Sequence, residues 1–165
     1  MSHSNESAEN RTVTPWITTK NTEKFIGFLT AAFDAQELGR VYNADGSIGH
    51  AEIRIGDSKL LMFDSAQEGP SFPALIRLYM DNCDELYARA IKAGAVSMTK
   101  PTTMSWGERG GRVVDPFGNI WWITTKVEDV SPEEMMERSK QQAYIDAMEY
   151  AQKSYNPLMA KERSR

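Results

Sequence analysis

The chain has 165 residues, 41% of them hydrophobic and 25% charged, with a net charge of -4 and a pI near 5.3, the size and balance of one ordinary globular domain. That charge argues against broad attraction to nucleic acid or to anionic lipid, which calls for a basic patch or stripe. The single cysteine, Cys83, excludes an internal disulfide and any multi-cysteine metal cluster.

MSHSNESAENRT carries no apolar leader and reads as a disordered tail over 1–12; with no run of about 18 apolar residues, a cytoplasmic protein is expected. Val13 to Thr19 alternates Val13, Pro15 and Ile17 with Thr14, Trp16 and Thr18, a period of two that predicts a strand, at an edge or a strand start because of Pro15. Asn21 or Thr22 then caps a helix in which Phe25, Phe28, Leu29 and Ala32 form one apolar stripe, ending near Phe33. A short strand fits Glu37 to Tyr42, and Asn43-Ala44-Asp45-Gly46 is a turn. The next strand sets Ala51, Ile53 and Ile55 against His50, Glu52 and Arg54, before Gly56-Asp57 reverses the chain into Leu60 to Phe63. Ser65 to Ser71, with Gly69-Pro70, has the composition of a linker.

The second half repeats the first. Ala74 to Met80 alternates again, Asn82 caps a helix with Glu85 at the capping-box position, Leu86, Ala90 and Ala93 form its stripe, and Gly94 ends it. Val113-Val114 run into Asp115-Pro116-Phe117-Gly118-Asn119, where Pro116 presets a turn and Gly118 can supply a positive φ, and Ile120 to Thr124 returns as a strand. Asn21 and Asn82, Phe25 and Leu86, Leu29 and Ala90, and Ala32 and Ala93 each stand 61 apart, and Leu61-Met62 stands 60 before Trp121-Trp122. Two copies of one supersecondary unit account for such an offset. The expected fold is therefore α+β, a domain over 13–126 made of two βαβββ modules, 13–64 and 72–126, joined by the linker 65–71, each with its helix on the convex side of a curved sheet.

GHAEIRIGDSKLLMFD and WGERGGRVVDPFGNIWWIT resemble the vicinal oxygen chelate superfamily of glyoxalases, bleomycin- and fosfomycin-resistance proteins and extradiol dioxygenases, and within it the small bacterial PhnB-like proteins. The resemblance covers Thr14 to Thr124. It implies a cleft lined by the concave faces of both sheets and, in the metal enzymes, His, Gln or Glu ligands on the first and last strands of each module. At the matching positions stand Thr14, Met62, Leu75 and Trp122, which offer a divalent ion neither carboxylate nor imidazole. No metal and no cofactor is expected. The same phase sends Ile17, Leu61, Phe63, Ile76 and Leu78 toward the helices.

Chemistry then falls to a few polar groups. His3 lies in the tail, so His50 is the candidate imidazole, on one strand face with Glu52 and Arg54; Arg77 and Tyr79 join them by the same inward logic. With Trp16, Met62, Trp106 and Trp122 they form an apolar cleft holding a few polar groups, as small-molecule sites are built. The same strand face reads equally as the wetted side of an antiparallel sheet. Trp121 and Trp122 fit core and interface positions better than cofactor stacking, the glycines Gly107, Gly110 and Gly111 a flexible loop better than an anion cradle, and Cys83 a structural thiol.

Beyond Thr125, Ser131 is a cap, Pro132 takes the first helical position, Glu134 completes a capping box, and a helix is expected to about Ser154. Its stripe is Met136, Ala143, Ala147 and Ala151, flanked by Tyr144, Met148 and Tyr155. The extension 127–165 must bury that stripe on its own domain, over the cleft or on a second subunit, and a homodimer contact is the preferred use. The function favoured is a metal-free binder of an apolar or aromatic small molecule. The alternatives are an enzyme of lyase, isomerase or dioxygenase type using His50 and Glu52 as acid-base groups or metal ligands, and an interaction module acting through the C-terminal helix.

Overall fold

The computed structural model describes residues 12–65 and 72–162, with side chains as far as Tyr155. The expected tail up to residue 11 and the expected linker beyond Ser65 lie outside the described residues. In chain order the elements are β1 (Trp16–Thr19), α1 (Thr22–Phe33), β2 (Gln36–Tyr42), β3 (Ile48–Ile55), β4 (Ser58–Asp64), β5 (Leu75–Tyr79), α2 (Cys83–Lys92), β6 (Val96–Thr103), β7 (Glu108–Val114), β8 (Ile120–Lys126), α3 (Pro132–Arg138) and α4 (Gln142–Glu162). The chain divides into two compact units, at Ala74 and Leu75. Each unit holds a four-stranded sheet of equivalent order, β1-β4-β3-β2 in the first and β5-β8-β7-β6 in the second. β1 runs parallel to β4 and β5 parallel to β8, while the remaining pairs are antiparallel. These are the two βαβββ modules that the internal repeat predicts.

In the first unit the Asn21 side chain caps α1 by accepting from Lys24 N, and the left-handed Asp34, with φ of 55°, ends the helix. The stripe of Phe25, Leu29, Ala32 and Phe33 is fully buried with Ile17, Ala51, Ile53 and Met62, an apolar layer between one helix face and one sheet face. A carboxylate ties the first turn of that helix to the last strand: Asp64 accepts from Thr22 N at 2.6 Å and from Ile48 N at 2.8 Å. The second unit repeats the device 61 positions on, where Thr125 Oγ1 accepts from Cys83 N at 2.7 Å.

The β7–β8 hairpin is built on Asp115. Its carboxylate, 4% exposed, accepts from Phe117 N, Asn119 N, Asn119 Nδ2 and Trp121 Nε1 at 2.8 to 2.9 Å. Gly118 takes φ of +93°, which closes the turn and which a β-carbon disfavours. Trp121 is thereby locked into the core, fully buried.

Met62 corrects one expectation. It pairs with Ala51 and Ile17 and is 0% exposed, on the helix side of the sheet, whereas Leu61 and Phe63, expected on that side, occupy the opposite face and are half-buried. The helices obey an offset of 61, and at that offset Leu60 matches the buried Trp121, and Leu61 rather than Met62 matches Trp122. Taking β4 at 60 is a slip of one residue, and one residue turns every side chain of a strand over.

The C-terminal extension forms two helices, not one. Ser131 caps α3 as expected by accepting from Glu134 N, but α3 ends at Arg138, whose guanidinium pairs with Glu128 and Glu134, and α4 starts afresh at Gln142. α4 packs along β6 of its own unit. Tyr150 OH accepts from Lys100 N at 2.9 Å, and Thr99 Oγ1 and Ser154 Oγ share a hydrogen bond of 2.6 Å. Of the expected stripe Ala151 is buried and Ala147 half-buried, while Met136, 56% exposed, and Ala143 stay outside. The break between α3 and α4 resets the helical phase, so Met136 does not share the face on which Ala143, Ala147 and Ala151 follow one another along α4.

Candidate functional site

Each sheet buries one face under its helix; the other is open in the first unit and, in the second, is covered by α4 only at the β6 end. In the first unit the open face carries Trp16, His50, Glu52, Leu61 and Phe63, since Trp16 and Glu52 both pair with Leu61. The rings meet edge to face, Trp16 with Phe63 at 5.7 Å and with His50 at 6.1 Å between centroids. His50 Nε2 lies 3.2 Å from Glu52 Oε1, and Lys59 Nζ holds the other carboxylate oxygen at 2.9 Å. Lys59 first and then His50 hold the Glu52 carboxyl below its ordinary value, so it stays ionised near neutrality and orients the imidazole. Arg54, expected beside them, instead donates to Gln36 Oε1 at 3.1 Å.

In the second unit Arg77, Trp122, Arg112 and Thr99 follow one another through the strand register, so all four side chains share a face. α2 occupies the other face, where Tyr87 reaches Gly111. Arg77 Nη2 donates to Glu108 Oε2 at 2.5 Å and its Nε to Thr124 Oγ1 at 3.2 Å, and its guanidinium lies 4.9 Å over the Trp122 ring and 5.8 Å over Tyr79. Trp106 joins the group through its indole N–H, which donates to the same Glu108 oxygen at 2.7 Å. Gly110 makes room for this arrangement, because a β-carbon there would come within 2.6 Å of Thr124 and 3.1 Å of the Trp122 indole nitrogen. Gly110 and Gly111 are therefore strand positions in close packing, which corrects the flexible-loop reading.

Arg112 completes this face. Its guanidinium lies 4.9 Å over Trp122 and 5.3 Å over Tyr155, and Nη1 donates to Ala151 O of α4 at 2.8 Å. Burial lowers its pKa from the ordinary arginine value. Cys83 takes no part in either face. It is buried, and burial together with the Asp84 charge pushes its thiol up, which suits a structural thiol.

Of the expected site residues, the folding brings Trp16, His50 and Glu52 together in one unit and Arg77, Tyr79, Trp106 and Trp122 together in the other. Met62 is absent from the open face, and Arg54 shares that face with Glu52 but turns to Gln36 of β2. Lys59, Leu61, Phe63, Glu108 and Arg112 were missed. Alternation could have found Arg112, which is out of phase with the apolar Val113, but its neighbours Trp122 and Tyr155 come from other elements. With the register corrected, the open-face residues of β1, β4, β5 and β8 include Trp16, Leu61, Phe63, Leu75, Arg77, Tyr79, Trp122 and Thr124. None supplies a carboxylate or an imidazole, and no group of three His, Cys, Asp or Glu among the described residues could hold a metal ion. That donor set does not fit a divalent ion.

Residues 10–123 match the family model of the Glyoxalase/Bleomycin resistance protein/Dioxygenase superfamily. The chain belongs to that superfamily. Uncharacterised proteins of Mycobacterium bovis and Mycobacterium tuberculosis are 33% identical to it over 134 residues, covering 74% of this chain and 88% or 79% of theirs. Among solved structures, TioX from Micromonospora sp. ML1 superposes with a TM-score of 0.61 at 20% identity, covering 71% of this chain and 99% of TioX. A Bacillus cereus PhnB protein, described as a putative 3-demethylubiquinone-9 3-methyltransferase, gives 0.58 at 14% identity, covering 70% of this chain and 99% of its own. The fosfomycin resistance protein FosX from Mesorhizobium loti gives 0.55 at 16% identity, covering 78% and 98%. The likeness to these structures is one of fold.

Proposed function

We propose that this superfamily member is a cytoplasmic, homodimeric binding protein that holds an apolar or aromatic small molecule on its open sheet faces without a metal. The observation that carries the reading is Trp16, 59% exposed on an open face against His50 and Phe63 while Trp121 is fully buried. Large aromatics exposed beside a few ordered polar groups mark ligand sites. Met136 and Met148, which α3 and α4 leave exposed, support a contact with a second copy. No described helix is long and apolar enough to cross a membrane.

A thermal-shift screen with small aromatic compounds tests the binding. A ligand at a hundred times its Kd stabilises the native state by about 2.7 kcal/mol, a shift of several degrees that Trp16→Ala should reduce. Zinc, manganese, nickel and ferrous ion should shift wild type and His50→Ala alike. Stoichiometric metal lost on His50→Ala would overturn the metal-free reading.

A second reading, an enzyme, is favoured by the His50–Glu52 contact of 3.2 Å, in which an oriented imidazole could act as a general base. It predicts turnover of a bound compound that His50→Ala abolishes while binding persists.

A further inference from the structure

Arg112 differs from the four arginines that a carboxylate holds. Arg40 pairs with Glu37, Arg77 with Glu108, Arg109 with Asp84 and Arg138 with Glu128. Arg112 is half-buried, yet its hydrogen bonds go from Nη1 alone to neutral acceptors, Ala151 O and, at 3.5 Å, Thr99 Oγ1. Its Nε and Nη2, the two donors of one guanidinium edge, make no hydrogen bond among the described residues, and both remain open to solvent. A cation withdrawn from water without a counter-ion is unfavourable, and stacking on aromatic rings offsets that only in part. The two rings, Trp122 and Tyr155, also hold the guanidinium plane and so preset the direction of the free edge.

We propose that Arg112 is the anchor for a carboxylate group of the ligand, bound through the Nε–Nη2 edge, and that the ligand is an apolar or aromatic carboxylic acid. The assignment rests on the binding reading above and names its ligand class. A guanidinium edge matches a carboxylate with two parallel hydrogen bonds. A single charge is called for, because Arg77, the other cation at Trp122, is already neutralised by Glu108; a phosphate dianion would want a second unpaired cation. The apolar body has a surface to lie on, since Leu75 and Tyr79, both more than half exposed, occupy the same sheet face as Arg77 and Trp122. α4 forms one wall of the site by placing Ala151 and Tyr155 at Arg112.

Benzoate and its neutral counterpart benzamide separate charge from ring. Binding to the full chain is followed by tryptophan fluorescence and thermal shift, in wild type, Arg112→Gln, Arg112→Lys and Ser154→Ala. Benzoate should bind at least tenfold more tightly than benzamide to wild type, lose that preference in Arg112→Gln, and recover it only in part in Arg112→Lys, which restores charge but not the fork. Ser154→Ala, which loosens α4 without touching the charge, should keep the preference, so a general disturbance by Arg112→Gln would be recognised. Equal binding of benzoate and benzamide overturns the carboxylate anchor and leaves the binding reading standing. A benzoate preference that survives in Arg112→Gln also overturns it, and failure of both compounds to bind at all removes the anchor together with the binding reading.

Discussion

Asp115 is a buried carboxylate that no cation neutralises among its hydrogen bonds; four N–H donors from a five-residue segment and its neighbour Trp121 stand in for one. Such a group is tolerated because every lone-pair direction is used, and its removal leaves the donors stranded. Asp115→Ala should therefore cost at least about 3 kcal/mol, since each buried donor left without an acceptor costs about 1–3 kcal/mol, read as a shift in the urea midpoint at unchanged m-value. A loss under about 1 kcal/mol, the net worth of one ordinary hydrogen bond, would show that the carboxylate is incidental. The turn itself was legible in Pro116 and Gly118. That Trp121 closes the network was not, because its indole nitrogen reaches Asp115 only when β7 and β8 are in register.

At the scale of elements, the helices and their caps were the most legible part. Asn21 and Asn82 cap as expected, since an amide oxygen one residue before a helix satisfies an otherwise orphaned N–H. The second tether on α1, from Asp64, spans 42 residues and has no local signature. Burial pulls the Asp64 carboxyl upward, but the N–H donors of Thr22 and Ile48 outweigh it and leave its pKa lowered. A lowered folded value means stability that is present above the unfolded carboxyl value and lost as pH falls through the folded one. Asp64→Asn should cost about 1 kcal/mol at neutral pH, and the gap to wild type should close below pH 4 in a series of thermal melts. A gap that stays constant down to pH 2 would remove the charge from this account.

For the whole molecule, the extension is the part whose place matters most. α4 lies on the open face of the second sheet, at the end near Thr99 and Arg112, and supplies an acceptor and a ring to the proposed site. Truncation after Lys126 removes those contacts and re-exposes Arg112, so it should lower the melting temperature; if α4 also carries the dimer contact, sedimentation will show a lower mass. An unchanged melting temperature and mass would mean that the helix adds nothing to either.

The two modules, their helices and their hairpins were determined by the sequence itself, because periodicity, caps and turns act over fewer than about ten residues and each occurs twice at one spacing. Which face of β4 lies inward depended on a single residue of offset, and only pairing with β1 and β3 resolved it, placing Met62 in the core and Leu61 and Phe63 outside. The second sheet's site was decided in the same way. Glu108 and Arg112 on β7, Trp122 on β8 and Tyr155 on α4 are joined by no local pattern, and a guanidinium becomes a half-buried charge without a carboxylate only through what the rest of the fold places, or does not place, beside it.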